Sequence, residues 1–241
     1  MKELNSEGIQ INKYISNSGF CSRREAEKLI EQARVTIDGE LVLLSARVQA
    51  GDEVAIDGER IKSSKKAIYI ALNKPVGVTS TTDTTDKSNI ISFMNFPKRI
   101  FPVGRLDKDS EGLILLTNDG DIVNKILRAG NNNEKEYVVT VDKELTSEMI
   151  RQMGNGVKIL GERTKPCYIK QEGARRFRII LKQGLNRQIR RMCAEFDYKV
   201  KSLTRIRIMH ITLGNLAAGK WRYLTQPEIV QLEKALSNAS S

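Results

Sequence analysis

Asp107 stands between Arg105 and Lys108, just ahead of the apolar run LILLT, in a chain with 40 Lys and Arg against 29 Asp and Glu. An ionised carboxylate there is a potential nucleophile or base. Tyr137, in KEYVVTV, offers a ring that can stack and a hydroxyl that can move a proton. Arg187, Arg190 and Arg191 crowd one short stretch, and any of them could hold a carboxylate ionised. Spacing alone leaves plainer readings open. Asp107 fits a turn or a cap before LILLT, Tyr137 fits a half-buried strand position, and each arginine fits a solvated or phosphate-facing side chain. Asp109 and Glu111 read as supports of the turn.

Other chemistries are poorly served. The one histidine, His210, lies in the strand-like RIRIMHITL and reads as structural, so His-based triads, His-built metal sites and two-His acid–base pairs are set aside. Cys21, Cys167 and Cys193 are far apart, lack ligand spacing and read as reduced core or semi-buried residues, with no metal expected. No phosphate-binding glycine motif is present, and no cofactor, metal or other small-molecule cofactor is expected. Reaction chemistry falls to Asp, Glu, Tyr, Lys or Arg.

The 241 residues suffice for a main domain and a small extra module. The net charge of +11 is unevenly spread: residues 151–222 hold 18 basic and 4 acidic residues, net +14, while residues 1–66 balance at zero. A block of that kind favours nucleic-acid phosphates, whose condensed counterions it releases. No apolar run is long enough to span a bilayer, and MKELNSEGIQ has no apolar signal core. The cytoplasm is the expected location, with no membrane partner. No symmetric apolar interface stands out, so a monomer is expected.

The elements that must position these residues follow from pattern. Ile11, Tyr14 and Ile15 fall at helical spacing, and Asn17–Gly19 breaks that helix. Ser22 then caps a second helix, with Glu25 completing a capping box, and Arg23, Arg24 and Lys28 form a basic edge. VTID and EVAID each end in Asp-Gly, a strong hairpin signal. The basic stretch KSSKKA supplies a linker, which sets a first domain at 9–64, a linker at 65–67 and a second domain at 68–236. In the second domain IYIALN, LILLT, KEYVVTVD, RTKPCYIKQ, RRFRIILKQG, YKVKSL and RIRIMHITL read as strands. IISFMN, DIVNKILRAG (ending at Gly130), TSEMIRQMGNG, NRQIRRMCAEF and PEIVQLEKAL (capped by Thr225) read as helices, and NASS as a disordered tail. The mix lacks a regular βαβ rhythm, so an α+β fold with a mainly antiparallel mixed sheet flanked by helices is expected.

Two helices, hairpin strands and the stretch SGFCSRREAEKLIEQARVTIDG resemble an S4 RNA-binding domain. With GRLDKDSEGLILLTNDGD, KEYVVTV and GLNRQIRRM following in that order, the whole chain resembles the RsuA-type pseudouridine synthases. The resemblance implies an isomerase that needs no cofactor and converts a uridine to pseudouridine in structured RNA, with 23S rRNA the first expected substrate and a tRNA anticodon loop the second. By position, it implies that Asp107 is the catalytic aspartate, Tyr137 the tyrosine against the target base and Arg190 the arginine paired with the aspartate. Arg105, Leu106, Lys108, Arg187, Gln188 and Ile189 are expected to line the RNA-facing cleft, and Arg23, Arg24 and Lys28 to bind RNA from the S4 domain.

The chemistry suits those types. The glycosidic bond must break, the base must turn, and C5 must join C1′. A carboxylate could add to C1′ or to C6, or remove the C2′ hydrogen; the residues leave these three open. The base must first leave its stack, which costs a few kcal/mol. A rival reading, a non-catalytic RNA-binding protein, explains the charge and the S4 pattern but not Asp107, Tyr137 and Arg190 each in its motif. A nucleoside hydrolase would want a second carboxylate or a metal to activate water.

Overall fold

The computed structural model describes residues 8–62, 67–127 and 133–237. The linker residues 63–66, the expected helix end at Gly130 and the NASS tail lie outside the described residues. The chain divides into two compact units. One comprises the described residues up to Ala67 with Phe96–Arg99 and Asn118–Gly120; the other comprises Ile68–Asn95, Ile100–Thr117 and the described residues from Asp121 on.

The smaller unit holds β1 (Ile9–Gln10), α1 (Ile11–Asn17), α2 (Arg23–Glu31), β2 (Val35–Ile37), β3 (Glu40–Leu41), β4 (Arg47–Val48), β5 (Val54–Ile56) and β6 (Glu59–Arg60). The capping box forms as its residues dictate: Ser22 Oγ accepts from Glu25 N–H at 3.2 Å, and Glu25 Oε2 accepts from Ser22 N–H at 2.7 Å. Four strands pair in the order β3-β2-β5-β6. Their two hairpins turn at Asp38-Gly39 and Asp57-Gly58, with φ positive at all four residues, as a tight two-residue turn requires. Ile11, Ile15, Ala26, Ile30, Val35, Val54 and Ile56 form the core.

The larger unit holds β7 (Tyr69–Lys74), α3 (Ile90–Met94), β8 (Phe101–Val103), β9 (Glu111–Thr117), α4 (Gly120–Leu127), β10 (Lys135–Val141), α5 (Ser147–Gly154), β11 (Lys158–Ile159), β12 (Glu162–Arg163), β13 (Tyr168–Gly173), β14 (Arg176–Leu181), α6 (Gln188–Ala194), β15 (Val200–Ile208), β16 (Ile211–Thr212), β17 (Trp221–Tyr223) and α7 (Gln226–Ser237). Its sheet runs β13-β14-β10-β15-β9-β7-β17, with β16 beside β15 and β8 beside β9. The pair β9–β15 is parallel and the other pairs of this sheet are antiparallel, so the sheet is mixed and mainly antiparallel. YKVKSL and RIRIMHITL, read as separate strands, are largely one strand, β15: Thr204 between them keeps extended backbone and pairs with Val138 and Glu111. The long strand in RTKPCYIKQ starts only at Tyr168, past Pro166, whose nitrogen cannot donate to a ladder.

One core lies under α5 and α6, with Val139, Met153, Phe177, Ile179, Met192 and Leu203 at its centre. The other lies under α4 and α7, with Leu113, Leu115, Ile122, Ile126, Ile208 and Leu232. Strand β9 is buried along nearly its whole length, as the unbroken LILLT run implies. His210 Nε2 donates to the Glu228 carbonyl at 2.8 Å, a structural tie at the start of α7.

Much of the basic block is spent within the fold. Across β13, β14, β10 and β15 runs a chain of ion pairs: Arg176–Glu172 at 3.5 Å, Arg178–Glu172 and Arg178–Glu136 at 2.6 Å, Arg207–Glu136 at 2.5 Å, Arg207–Glu134 at 3.0 Å and Lys182–Glu134 at 3.9 Å. Burial alone would raise Glu136, but the Arg178 and Arg207 guanidiniums outweigh it and hold its carboxyl below the usual range. Lys165, Lys170, Arg175 and Lys201 remain exposed.

Candidate active site

The segment from Gly104 to Ser110 links β8 to β9 without regular structure, so its carbonyls need partners from elsewhere. Five in a row find them, each from a different donor. Arg205 Nη1 donates to Arg105 O at 3.3 Å, Ser80 Oγ to Leu106 O at 2.9 Å and Ser110 N to Asp107 O at 3.0 Å. Gly77 N donates to Lys108 O at 2.8 Å and Arg190 Nη2 to Asp109 O at 2.8 Å. Ser80 Oγ also accepts from Leu106 N–H at 3.2 Å. A loop held at every residue presents the Asp107 side chain in one place. Above it opens a cavity of about 500 Å³, lined by Arg105 to Asp109, Arg187 and the turn and loop from Val76 to Asp86.

Arg187 governs the acids of this cavity. It takes a left-handed conformation (φ 51°) just before α6, and its guanidinium grips Asp109 through both nitrogens, at 3.1 and 2.9 Å. The same group lies 3.6 Å from Asp107 Oδ2. Its hydrogen bonds hold the Asp109 carboxyl below the usual range. The expected pairing of Arg190 with Asp107 is therefore not what the geometry shows. Arg190, one turn into α6, reaches Asp109 O, Ser110 Oγ at 3.3 Å and Val200 O at 3.3 Å. Its Nε sits 3.3 Å from Asp109 Oδ2 without the angle of a hydrogen bond.

Three expected cleft residues are turned inward. α6 buries the face made by Gln188, Ile189, Met192 and Cys193 against the sheet, so Gln188 and Ile189 do not line the cavity. Gln188 Oε1 instead accepts from Leu185 N–H at 3.0 Å and closes the turn that sets Arg187. Leu106 is 6% exposed and meets the cavity at its floor. Arg105 and Lys108 are exposed at the rim. Tyr137 is half-buried on β10 and packs partly on the α5–α6 core. It pairs with Arg205 of β15, which pairs with Gly112 of β9, so two strand spacings, about 10 Å, separate Tyr137 from the strand that follows the loop. In the smaller unit Arg23, Arg24 and Lys28 are exposed on α2, with Arg23 also donating to Gln10 at 3.1 Å and Asn12 at 3.4 Å.

Lys74, which ends β7, belongs to this site. It is fully buried, and its Nζ donates to Pro75 O at 2.9 Å and Val78 O at 2.8 Å, which shapes the turn carrying Gly77. Burial, aided by Arg205, pushes it down to about 8, against the pull of Asp107, Asp109 and Glu111. The signal was a lysine ending an apolar strand immediately before proline. Ser80 left no such signal, because a serine in a polar loop is ordinary. Burial pushes the Cys167 thiol up to about 11 and that of Cys193 to about 12, so neither is a thiolate nucleophile. Among the described residues no three His, Cys, Asp or Glu side chains converge to hold a metal, and no helix is long and apolar enough to cross a membrane.

Known proteins share this architecture. Residues 68–195 match the family model of RNA pseudouridylate synthase, and residues 11–54 match that of the S4 domain. The dual-specificity RNA pseudouridine synthase RluF of Escherichia coli (strain K12) is 53% identical over 240 residues, covering 99% of this chain and 83% of that protein. The ribosomal large subunit pseudouridine synthase B of Bacillus subtilis (strain 168) is 32% identical over 232 residues, covering 92% and 95%. A solved pseudouridylate synthase structure superposes with a TM-score of 0.69 at 30% identity, covering 93% of this chain and all of that one. With a family model spanning more than half its length and relatives of one kind along nearly all of it, the chain belongs to the RNA pseudouridylate synthases, enzymes that isomerise uridine to pseudouridine within RNA.

Proposed function

We propose that Asp107 is the catalytic carboxylate, that Tyr137 stacks on the flipped uracil, and that the substrates are 23S rRNA first and a tRNA anticodon loop second. The observation that carries this is the Asp107 carboxylate in the cavity, on a loop with five consecutive carbonyls fixed and with Arg187 beside it. The two RNA substrates draw support from the relatives, one a dual-specificity synthase and one a synthase of the large ribosomal subunit. In the reaction the C1′–N1 bond breaks, the uracil turns, C1′–C5 forms, the C5 hydrogen leaves as a proton and N1 takes one up. Asp107 begins it by adding to C1′ or C6, or by taking the C2′ hydrogen. Tyr137 holds the freed base by its ring and passes a proton through its hydroxyl. Arg187 orients Asp107 from 3.6 Å, while Arg190 holds the loop through the Asp109 carbonyl. No cofactor takes part.

Arg105 and Lys108 at the rim, with Arg23, Arg24 and Lys28 of the S4 domain, grip flanking phosphates and offset the cost of flipping the base. The S4 domain (residues 9–64) is tethered by residues 65–67 to the catalytic domain (68–236) and adds affinity by effective concentration. The enzyme works as a cytoplasmic monomer.

The test is tritium release from RNA carrying 5-tritiated uridine, taken from cells that lack the protein, with wild type and Asp107→Asn side by side. Stoichiometric release by wild type and none by the variant, with RNA binding retained, is expected. Release by both would remove Asp107 from the chemistry. Tight binding with release by neither would leave an RNA-binding protein, and free uracil in place of tritium would mean a hydrolase.

A further inference from the structure

We propose that Arg205 is a positioning residue for the isomerisation, a buried strap that fixes the Asp107 loop to the strand bearing Tyr137. The proposal rests on the reading of Asp107 as the catalytic carboxylate. Strand β15 places Leu203 and Arg205 on one face by its two-residue period, and both are buried, at 6% and 3% exposure. An aliphatic side chain would suit that environment, since a buried guanidinium loses its hydration. Among the described residues no carboxylate pairs with Arg205 to offset that loss. Its donors go to backbone instead: Nε to Leu113 O at 2.6 Å and Nη1 to Arg105 O at 3.3 Å, while Nη2 is buried without a partner.

One of these carbonyls, Arg105 O, lies near the start of the loop, two residues before Asp107, and the other, Leu113 O, lies on β9 beyond its end. One planar group donating to both closes the loop at its base. A lysine has a single donor atom on a flexible stem and lacks the two separated, coplanar N–H groups that meet these two carbonyls here. The backbone of Arg205 meanwhile pairs with Tyr137 on one side and Gly112 on the other. The close approach to Gly112 depends on the missing side chain, because a Cβ there would stand 2.3 Å from Arg205 O. A single residue thus ties the carboxylate's loop and the tyrosine's strand into one rigid piece. A shift of about 1 Å between reacting groups costs on the order of a hundredfold in rate, so this strap acts on turnover and not on RNA capture.

The experiment compares full-length wild type with Arg205→Met, Arg205→Lys and Arg205→Ala. Single-turnover tritium release gives the rate, filter binding gives RNA affinity, and thermal melting gives the folded fraction at the assay temperature. Arg205→Met, which fills the volume without donors, is expected to lose on the order of a hundredfold in rate while RNA affinity stays within threefold. Arg205→Lys is expected to fall between, and added guanidinium ion to restore part of the rate of Arg205→Ala. Turnover of Arg205→Met within threefold of wild type overturns the proposal. So does a rate that falls only with the folded fraction, or the failure of all three variants to fold, since Arg205 then serves stability alone. Asp107→Asn in the same assay separates the two readings: if it stays active the Asp107 assignment fails, and if it is dead while Arg205→Met is fully active only the strap fails.

Discussion

Gly112 is the position where one added methyl is expected to do most harm. It has φ +103°, and a Cβ built on it would lie 2.3 Å from Arg205 O and 2.7 Å from Arg205 N. Both atoms are backbone of the paired strand β15, so neither can swing aside as a side-chain end would. Holding alanine in that backbone conformation costs about 1–3 kcal/mol. Forcing the strands apart adds about 1–3 kcal/mol, the usual cost of overpacking. The two together reach about 2–6 kcal/mol for Gly112→Ala, a large share of the roughly 5–15 kcal/mol that holds a domain folded. At about 2–4 °C per kcal/mol for a protein of this size, the melting midpoint should drop by about 4–24 °C. Gly161→Ala is the control: its φ is +83° in the β11–β12 turn, but no atom stands within 4 Å of its Cβ position. Its loss should be strain alone, about 1 kcal/mol and about 2–4 °C. Calorimetric melting of both variants makes the comparison, with tritium release measured where each is fully folded. Should Gly112→Ala melt no lower than Gly161→Ala, β15 does not press on β9 as described, and the strap across them loses its ground.

Four further perturbations test separate parts of the structure. Glu228 is held at about 2, against 4.5 ordinarily, mainly by two 2.7 Å hydrogen bonds from Arg222 and also by the Thr225 N–H. Its folded value is depressed, so its contribution is complete above pH 4.5 and fades as pH falls toward 2. Glu228→Gln should therefore cost about 2 kcal/mol at pH 7, with the difference from wild type vanishing near pH 2 in urea titrations. Glu136→Gln takes the central acid from the ion-pair chain and leaves Arg178 and Arg207 only their outer partners; a loss of about 2 kcal/mol in the urea midpoint is expected, and no loss would show the chain to be ornamental to stability. Arg187→Gln should slow turnover more than tenfold and weaken RNA binding, because the guanidinium beside Asp107 goes and the rim loses a charge. Arg190→Lys should lose most activity with RNA affinity kept, because a lysine cannot reach Asp109 O, Ser110 Oγ and Val200 O together. A reversed pattern of affinities would exchange the two roles.

Local features were the most legible in the residues. The Ser22–Glu25 capping box, the Asp-Gly hairpins and the buried β9 strand rest on neighbours a few positions apart, and each formed as its composition demanded. The α+β class with a mixed, mainly antiparallel sheet was legible from the order of periodicities. The division of labour between Arg187 and Arg190 was not. It depends on a left-handed residue before α6 and on which helix face the core claims, and an amphipathic count cannot separate an arginine at the rim from one a turn below it. Gln188 and Ile189 were misjudged for the same reason: a motif marks a segment near a site without saying which side chains look into it. Lys74 and Arg205 escaped notice because buried cations contradict the ordinary burial preference that pattern reading relies on. The basic block signalled an RNA-facing surface by sheer count, and the count could not reveal how many of its arginines pair with glutamates across strands.

The parallel pairing of β9 with β15 also bears on when the enzyme comes to life. The contact between Arg205 and Arg105 spans 100 residues, and that between Arg205 and Leu113 spans 92. At about 5–20 residues per second, the loop carrying Asp107 leaves the ribosome roughly 5–20 s before the side chain that closes it. Until β15 arrives the middle of the sheet is missing, and the start of β9, at Glu111 and Gly112, lacks its neighbour beside an unclosed loop. Such long-range strand pairing is slow, because chain entropy is lost before contacts repay it. The loop carrying Asp107 is thus among the last features to be fixed in place, and a nascent chain that has only just emerged past that aspartate still lacks the residue that closes its loop.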